Sequence, residues 1–129
     1  MLLPNMLVKN ISAILIWSEN YKDLSNWYKE IFDLQIEEEL NHPQDTGVGF
    51  MIGNVYLWIG QHSEVYGKNK DIHRHMFNFV VDSVTQTYKI LEKKGVKFFA
   101  KPFKAPTMDK YFATFYDLDN NLVQLIGGE

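Results

Sequence analysis

Along this chain, apolar residues occur first with the spacing of a strand, then with the spacing of a helix, and then with the spacing of strands again. This order occurs twice. Residues 11–17 form a nearly continuous apolar run rich in β-formers, which predicts a strand covered on both faces. From residue 21 to residue 32, apolar and aromatic side chains recur at helical spacing with polar residues between them. This spacing predicts an amphipathic helix whose aromatic stripe packs in the core, and Ser18 or Asn20 is expected to cap its start.

Three shorter strands are predicted to follow this helix, at residues 34–40, 48–52 and 55–59. The first of them carries Glu37, Glu38 and Glu39, which we interpret as the solvated face of an exposed edge strand. Gly53 and Asn54 join the other two through a tight turn. Residues 61–71 are polar and contain glycine, so they are expected to form a linker.

The same order of periods returns after the linker. Residues 75–81 predict a strand, and Ser83 with Gln86 predicts the capping box of a second helix that stops at Gly95. Three more strands are expected at residues 96–100, 111–116 and 122–126. The chain is therefore interpreted as one domain, residues 1–129, built from two modules at about 10–60 and 74–126 with a linker at 61–73.

Each predicted module has the order strand, helix, strand, strand, strand, and neither has enough strands to cover its own sheet. We therefore predict an α+β fold in which two mixed four-stranded sheets, each with a helix on one face, curl into an open barrel-like cup. The inward-facing strand residues of such a cup would form a natural small-molecule site. The last two strands form a hairpin, since Asp and Asn at residues 117–121 interrupt the apolar alternation.

The amino-acid composition excludes several kinds of binding partner and several kinds of chemistry. The formal net charge is −3, and no basic stripe offsets this acidic balance. Nucleic acid is therefore not an expected partner. The sequence has no cysteine, which excludes disulfides, thiolate zinc sites and cysteine nucleophiles. Residues 1–8 have no basic run ahead of a long apolar core, so no signal peptide is predicted, and no stretch is apolar enough to predict a membrane span. A cytoplasmic location is the expectation.

Three motifs occur in the order found in one known superfamily. They are Ser25-Asn-Trp27-Tyr28 followed by Phe32-Asp33-Leu34, then His75-Met-Phe-Asn-Phe-Val-Val-Asp82, and finally Asp117-Leu-Asp-Asn-Asn121-Leu-Val-Gln124. With the duplicated layout, they resemble the vicinal-oxygen-chelate superfamily, which includes glyoxalase I, extradiol dioxygenases, fosfomycin-resistance enzymes and bleomycin-resistance proteins. The resemblance covers residues 11–126.

In metal-dependent members of this superfamily, four strand residues are expected to meet one divalent ion. The resemblance carries this set over to His75, to Gln124 where glutamate is usual, to Leu57, and to a position near Ile11 or Ser12. An amide oxygen brings no charge to a dication, and the last two positions hold no usual ligand. No metal is therefore the favoured interpretation, although a divalent ion bound by His75, Gln124 and a further residue remains an alternative.

That further ligand could come from several acidic or imidazole side chains, namely Glu19, Glu37, Glu38, Glu39, His62 and His73. His73 lies two residues before His75, so the two could chelate a metal or be solvated at the mouth of a strand. His75 itself shares a strand face with Phe77 and is either a residue lining the cup or a core histidine hydrogen-bonded to a neighbour such as Gln124. We favour the lining role.

The residues expected to line the cup are His75, Gln124, Phe77, Leu57, Ser12 and Tyr111. The strands also carry four aromatic residues, Trp17, Phe50, Tyr56 and Trp58. Some of them are expected to line the cup and others to lie under the helices, and the sequence does not distinguish the two groups. Residues 61–71 and 101–110 are expected to be the loops that cover the site.

Two functions follow from this interpretation. The first is a small-molecule-binding protein of the bleomycin-resistance type with a degenerate metal site, which holds an aromatic or cationic compound between aromatic walls. The second is a divalent-metal-dependent lyase, isomerase or dioxygenase of the glyoxalase type. A domain that binds nothing tightly is a third possibility. Members of the superfamily commonly dimerise, and half-covered modules favour the same outcome, so a homodimer is predicted.

Overall fold

A computed structural model describes residues 7–129 of the chain. The prediction that residues 1–8 hold no signal peptide therefore falls mostly on residues outside the described part. The first module contains β1 (Ala13–Trp17), α1 (Tyr21–Phe32), β2 (Ile36–His42), β3 (Asp45–Ile52) and β4 (Val55–Gly60). The second module contains β5 (Phe77–Ser83), α2 (Val84–Lys93), β6 (Phe98–Lys104), β7 (Tyr111–Tyr116) and β8 (Leu122–Gly128).

The strands form two four-stranded sheets with matching topology. Their orders are β1-β4-β3-β2 and β5-β8-β7-β6, and the pairs β1–β4 and β5–β8 are parallel while the others are antiparallel. The predicted α+β fold with two mixed sheets is therefore confirmed. Within residues 7–129, no strand pairing joins the two sheets into a closed barrel.

The residues at the ends of the two helices differ in how they cap them. Asn20 is the N-cap of α1, but its side chain makes no capping bond, and Ser18 accepts from the Asn20 amide instead of capping the helix. Asp33 ends α1 in the left-handed region, with φ of 54°. At α2, Ser83 accepts from the Gln86 amide at 3.1 Å, as half of a capping box requires. No helix within residues 7–129 is long and apolar enough to cross a membrane.

Each sheet has one face covered by helices and one face left open. On the covered face of the first sheet, Ile14, Leu57 and Phe50 lie side by side in neighbouring strands. On the covered face of the second sheet, Val123 and Phe115 form the matching row. These side chains belong to one hydrophobic cluster to which both modules contribute. We call the opposite side of each sheet its open face.

Helix α1 joins the modules, because its aromatic stripe packs on the second sheet as well as on its own. The Phe32 ring lies 5.1 Å from Phe79 and 5.3 Å from Phe115, measured between ring centroids. Trp27 also packs against Phe115, at 6.2 Å. At the end of α1, the Ile31 carbonyl accepts a hydrogen bond from Lys94, which follows α2. The modules of one chain are therefore packed together through a helix rather than through their open faces.

A buried hydrogen bond crosses the same junction. The Tyr28 hydroxyl donates to Oδ2 of Asp117 at 2.7 Å. Burial, followed by the Asp117 carboxylate, raises the pKa of Tyr28 well above its usual value, so the hydroxyl stays protonated as a donor. Burial also raises the pKa of Asp117, while hydrogen bonds from Tyr28, Asn121 and Asp119 act against that rise. This bond ties α1 to the turn between β7 and β8.

Replacing Tyr28 by phenylalanine is expected to lower the free energy of unfolding by about 1–3 kcal/mol, because a buried carboxylate loses a donor. Urea denaturation measures this loss. The matched control is Tyr88→Phe, which removes an exposed hydrogen bond to Glu92 one helical turn away. The control should cost no more than about 0.5 kcal/mol. Equal losses in the two variants would contradict a structural role for the Tyr28 bond.

Candidate functional site

A cleft lies where the two modules meet along the edge of β1. Its volume is about 720 Å³, and residues of the loop between β4 and β5 cover it. We call residues 61–76 the connecting loop. The cleft is bordered by β1, by residues 64–71 and 74–77, and by the turn and strand start that hold Asp119, Asn121 and Leu122. Both modules and the connecting loop therefore contribute to one concave site.

The connecting loop is fixed to both modules by hydrogen bonds. On the side of the first module, the Gly67 amide donates to Glu19 at 2.8 Å. On the side of the second module, the Asn69 amide donates to the Asp119 carbonyl at 2.7 Å, and the Asn69 side chain donates to Oδ1 of Asn121 at 3.0 Å. These contacts fix the connecting loop at the border of the cleft.

The turn that receives the connecting loop is organised by Asp117. Its Oδ1 accepts the amides of Asp119 and Asn121 at 2.8 and 2.9 Å, and its Oδ2 accepts from the Asn121 side chain at 2.9 Å. Asn120 adopts φ of 62°, a left-handed conformation that asparagine tolerates better than most residues. The turn therefore presents Asn121 and Asp119 to the cleft in a fixed geometry.

The surface of the cleft consists of apolar side chains and of exposed charged side chains. Ile14, Leu15 and Leu122 supply aliphatic surface, and Trp17 and Phe77 supply aromatic surface. The connecting loop adds Lys68, Lys70 and an ion pair between Arg74 and Asp71, all of them exposed. Such a surface suits a small organic molecule whose apolar part is buried and whose polar groups are met by a few side chains.

Two predicted lining residues, His75 and Phe77, do border this cleft. The strand begins later than predicted, however, so His75 lies in the connecting loop and is exposed. Phe77 starts β5 beside Val123 and packs against the core from the covered face of the second sheet. The expected alternation of His75 with Phe77 along one strand is therefore wrong, because His75 precedes the strand.

Gln124 and Ser12 lie elsewhere. Gln124 is half-buried on the open face of the second sheet, between Asn78 of β5 and Thr114 of β7. That Gln124 lines a cup stays a prediction. Ser12 is exposed ahead of β1, where its carbonyl accepts from the Tyr56 amide. Neither residue is among those that border the 720 Å³ cleft.

Leu57 and Tyr111 lie on the covered faces, where they pack with the hydrophobic core, and Leu57 also borders a separate apolar cleft of about 310 Å³ together with Ile14 and Phe77. Leu57 is 1% exposed. Its assignment came from aligning the two hairpin turns, but Ile52 pairs directly with Val55, whereas Tyr116 and Leu122 are separated by residues 117–121. Alternate residues of a strand point to opposite faces, so this difference puts Leu57 on the face opposite to that of Gln124.

The structure also sorts the strand aromatics that the sequence left unassigned. Phe50 lies in the core, whereas Trp17, Tyr56 and Trp58 lie on the open face of the first sheet. The Tyr56 and Trp58 rings stack at 6.4 Å. Three glycines make room for them on neighbouring strands: a Cβ at Gly49 would collide with Tyr56, and one at Gly47 or Gly60 with Trp58.

Four of the six side chains considered as further metal ligands have other partners. Glu19 accepts from the connecting loop, Glu38 accepts from Tyr56, the His62 ring packs on Trp17, and the His73 ring packs on Phe99. Across residues 7–129, no three His, Asp or Glu side chains come together in a group that could hold a metal ion. His75 and Gln124 therefore do not fit a divalent-ion site of the type that the superfamily uses.

Among the residues that border the cleft, Asn69, Asp119 and Asn121 were not identified as site residues from the sequence. The motif at 117–124 marked the last two as turn formers, which they are, but gave no sign that they border a cleft. Asn69 lies in a segment without periodicity, and its contact with Asn121 joins positions 52 residues apart. Sequence spacing carries no signal for such a contact.

Comparison with known proteins agrees with this architecture. A family model described as the Glyoxalase/Bleomycin resistance protein/Dioxygenase superfamily matches residues 10–125. A search of curated proteins found no match.

Solved structures with the same fold have low sequence identity to this chain. A glyoxalase family protein from Enterococcus faecalis is 19% identical with a TM-score of 0.77, covering 94% of this chain and 99% of its own. A glyoxylase/bleomycin resistance protein/dioxygenase domain from Frankia sp. EAN1pec is 18% identical with a TM-score of 0.75, covering 95% and 99%. The fosfomycin resistance protein FosX from Listeria monocytogenes is 16% identical with a TM-score of 0.70, covering 95% and 96%.

Replacing Asn69 by alanine is expected to release the connecting loop without unfolding the domain, because the side chain bonds both to Asn121 and to the Asp71 amide. Hydrogen exchange should become faster at the amides of residues 69 and 71, with little change in the strands. Lys70→Ala is the control, since Lys70 is exposed and lies between the affected positions. Unchanged exchange in the Asn69 variant would mean that these bonds do not fix the loop.

Proposed function

We propose that this chain, which belongs to the Glyoxalase/Bleomycin resistance protein/Dioxygenase superfamily, is a small-molecule-binding protein with a degenerate metal site. The observation that carries the proposal is the cleft of about 720 Å³ beneath the connecting loop. A cleft of this size falls in the usual range for sites that hold small organic ligands, roughly 300–1,000 Å³.

The chemistry of the cleft supports binding by shape and a few polar contacts. Aliphatic and aromatic side chains from β1, β5 and β8 form its walls, and Asn121 and Asp119 bring polar atoms to it. The loop that covers it is hydrogen-bonded to both modules, which limits the ordering cost when a ligand binds. Because His75 and Gln124 do not form a metal site with a third ligand, we derive no reaction step through a metal.

The open faces support the further proposal that two copies of the chain associate. Exposed apolar side chains lie on these faces, among them Leu15, Met51, Val80 and Phe103. Clusters of exposed apolar side chains can mark a protein–protein interface. A second copy would bury these faces and complete the cup that each chain leaves open.

Ligand binding in the cleft can be tested with a small-molecule library, using thermal shift followed by isothermal titration. Met76→Trp should abolish binding because Met76 borders the cleft and is 48% exposed, so the larger ring fills the site with little cost to folding. The control Met108→Trp changes a side chain that is 51% exposed and does not border the cleft. Ligands should bind the control as they bind the wild type.

Each alternative function predicts a different result in this experiment. Binding should persist in EDTA, and loss of binding or of a screened activity in EDTA would favour the metal-dependent enzyme instead. If no compound stabilises the wild type, the domain binds nothing tightly and the proposal is wrong. Equal loss in both tryptophan variants would place the ligand outside the cleft.

Association of two copies predicts a mass of twice 15.1 kDa in light scattering. Val80→Asp should give the monomer, because Val80 is 85% exposed on the open face of β5 and a charge there would oppose burial. Ile90→Asp is the control, since Ile90 is an exposed apolar residue of α2 outside the open faces. A monomeric wild type would refute the proposed dimer.

A further inference from the structure

The side chain of Asp119 stands out among the residues of the cleft. It is 9% exposed, and its hydrogen bonds within residues 7–129 are all made by its backbone, through the amide to Asp117 and the carbonyl to Asn69. Every fully buried polar side-chain atom of the described residues has a partner. The Asp119 carboxylate oxygens therefore keep a small contact with solvent, and the residue borders the cleft.

A carboxylate in a side chain that is 9% exposed has few water molecules around it, so a hydrogen-bond donor on a bound ligand can replace them. Asp117, two residues earlier, shows the compensated case, since its two oxygens accept four hydrogen bonds. The same turn therefore holds one satisfied carboxylate and one that still has free acceptor positions. These free acceptor positions can take a hydrogen bond from a ligand, and a positively charged donor forms the strongest hydrogen bond with a carboxylate.

The Lys and Arg side chains of residues 7–129 do not supply this donor. Arg74 is paired with Asp71, and no ion pair among the described residues includes Asp119. Lys68 and Lys70 border the cleft but are exposed, so their ammonium groups are solvated at its rim. The cleft thus combines an anionic group at a buried position with aliphatic and aromatic walls.

We propose that Asp119 binds the protonated amine of the ligand, whose aryl or alkyl part lies against Leu15, Trp17 and Leu122. The ligand class is then a small ammonium compound with an apolar body. This proposal rests on the function proposed above for the cleft and adds the recognition residue and the charge of the ligand. A charge-assisted hydrogen bond to Asp119 provides the selectivity, and apolar burial provides most of the remaining affinity.

Three probes of similar size but different charge test the proposal, namely 2-phenylethylamine, 2-phenylethanol and phenylacetate. Isothermal titration of the wild type at neutral pH should give the tightest binding for the amine, by about tenfold or more over the alcohol. This comparison uses the unaltered protein and does not depend on the folding of any variant. Shifts of the side-chain amide signals of Asn69 and Asn121 in NMR spectra would report binding in this cleft.

The variant Asp119→Asn should remove the preference, so that the amine binds about as weakly as the alcohol. Asp109→Asn is the matched control, because this carboxylate is 98% exposed in a loop that does not border the cleft, and it should retain the preference. A preference that is retained in Asp119→Asn would overturn the proposal.

The remaining outcomes separate this proposal from the function on which it rests. If the amine and the alcohol bind the wild type equally, small-molecule binding stands and the role of Asp119 is wrong. If phenylacetate binds best, the exposed lysines recognise an anion and the role of Asp119 is again wrong. If no probe binds or shifts the signals of Asn69 and Asn121, both the role of Asp119 and its binding cleft are refuted.

Discussion

The buried hydrogen bond between Tyr28 and Asp117 is the contact on which the rest of this structure depends. Tyr28 lies on the helix of the first module, and Asp117 begins the turn between the last two strands of the second. The same carboxylate accepts three further hydrogen bonds from Asp119 and Asn121. One buried acid therefore fixes both the packing of the modules and the shape of the turn that borders the cleft.

The cleft follows from that arrangement by a short sequence of contacts. Asp117 shapes the turn, the turn presents Asn121 and the Asp119 carbonyl, and these two groups hold Asn69 of the connecting loop. Glu19 holds the same loop from the first module through the Gly67 amide. The site is thus built from backbone and short polar side chains, and its apolar walls come from strands that the sheets already require.

The fold could be predicted from the sequence because its signals are local and repeated. The spacing of apolar residues distinguished helices from strands. The order of helix and strands occurs twice, which predicted two matching sheets, and the structure has them. The site was harder to predict. The resemblance supplied His75 and Leu57 as candidates, but β5 begins two residues after His75, and the two hairpin turns differ in length, which changes the face on which Leu57 lies.

Sequence by itself determined the two modules, the amphipathic helix α1 and the Asp- and Asn-rich turn, because period and turn chemistry act over a few residues. Tertiary structure decided which partners these elements have. It packed the stripe of α1 on the second sheet, paired Tyr28 with Asp117 across 89 positions, and brought Asp119 to the border of the cleft. Such contacts depend on the packing of distant segments, which no local pattern in the sequence records.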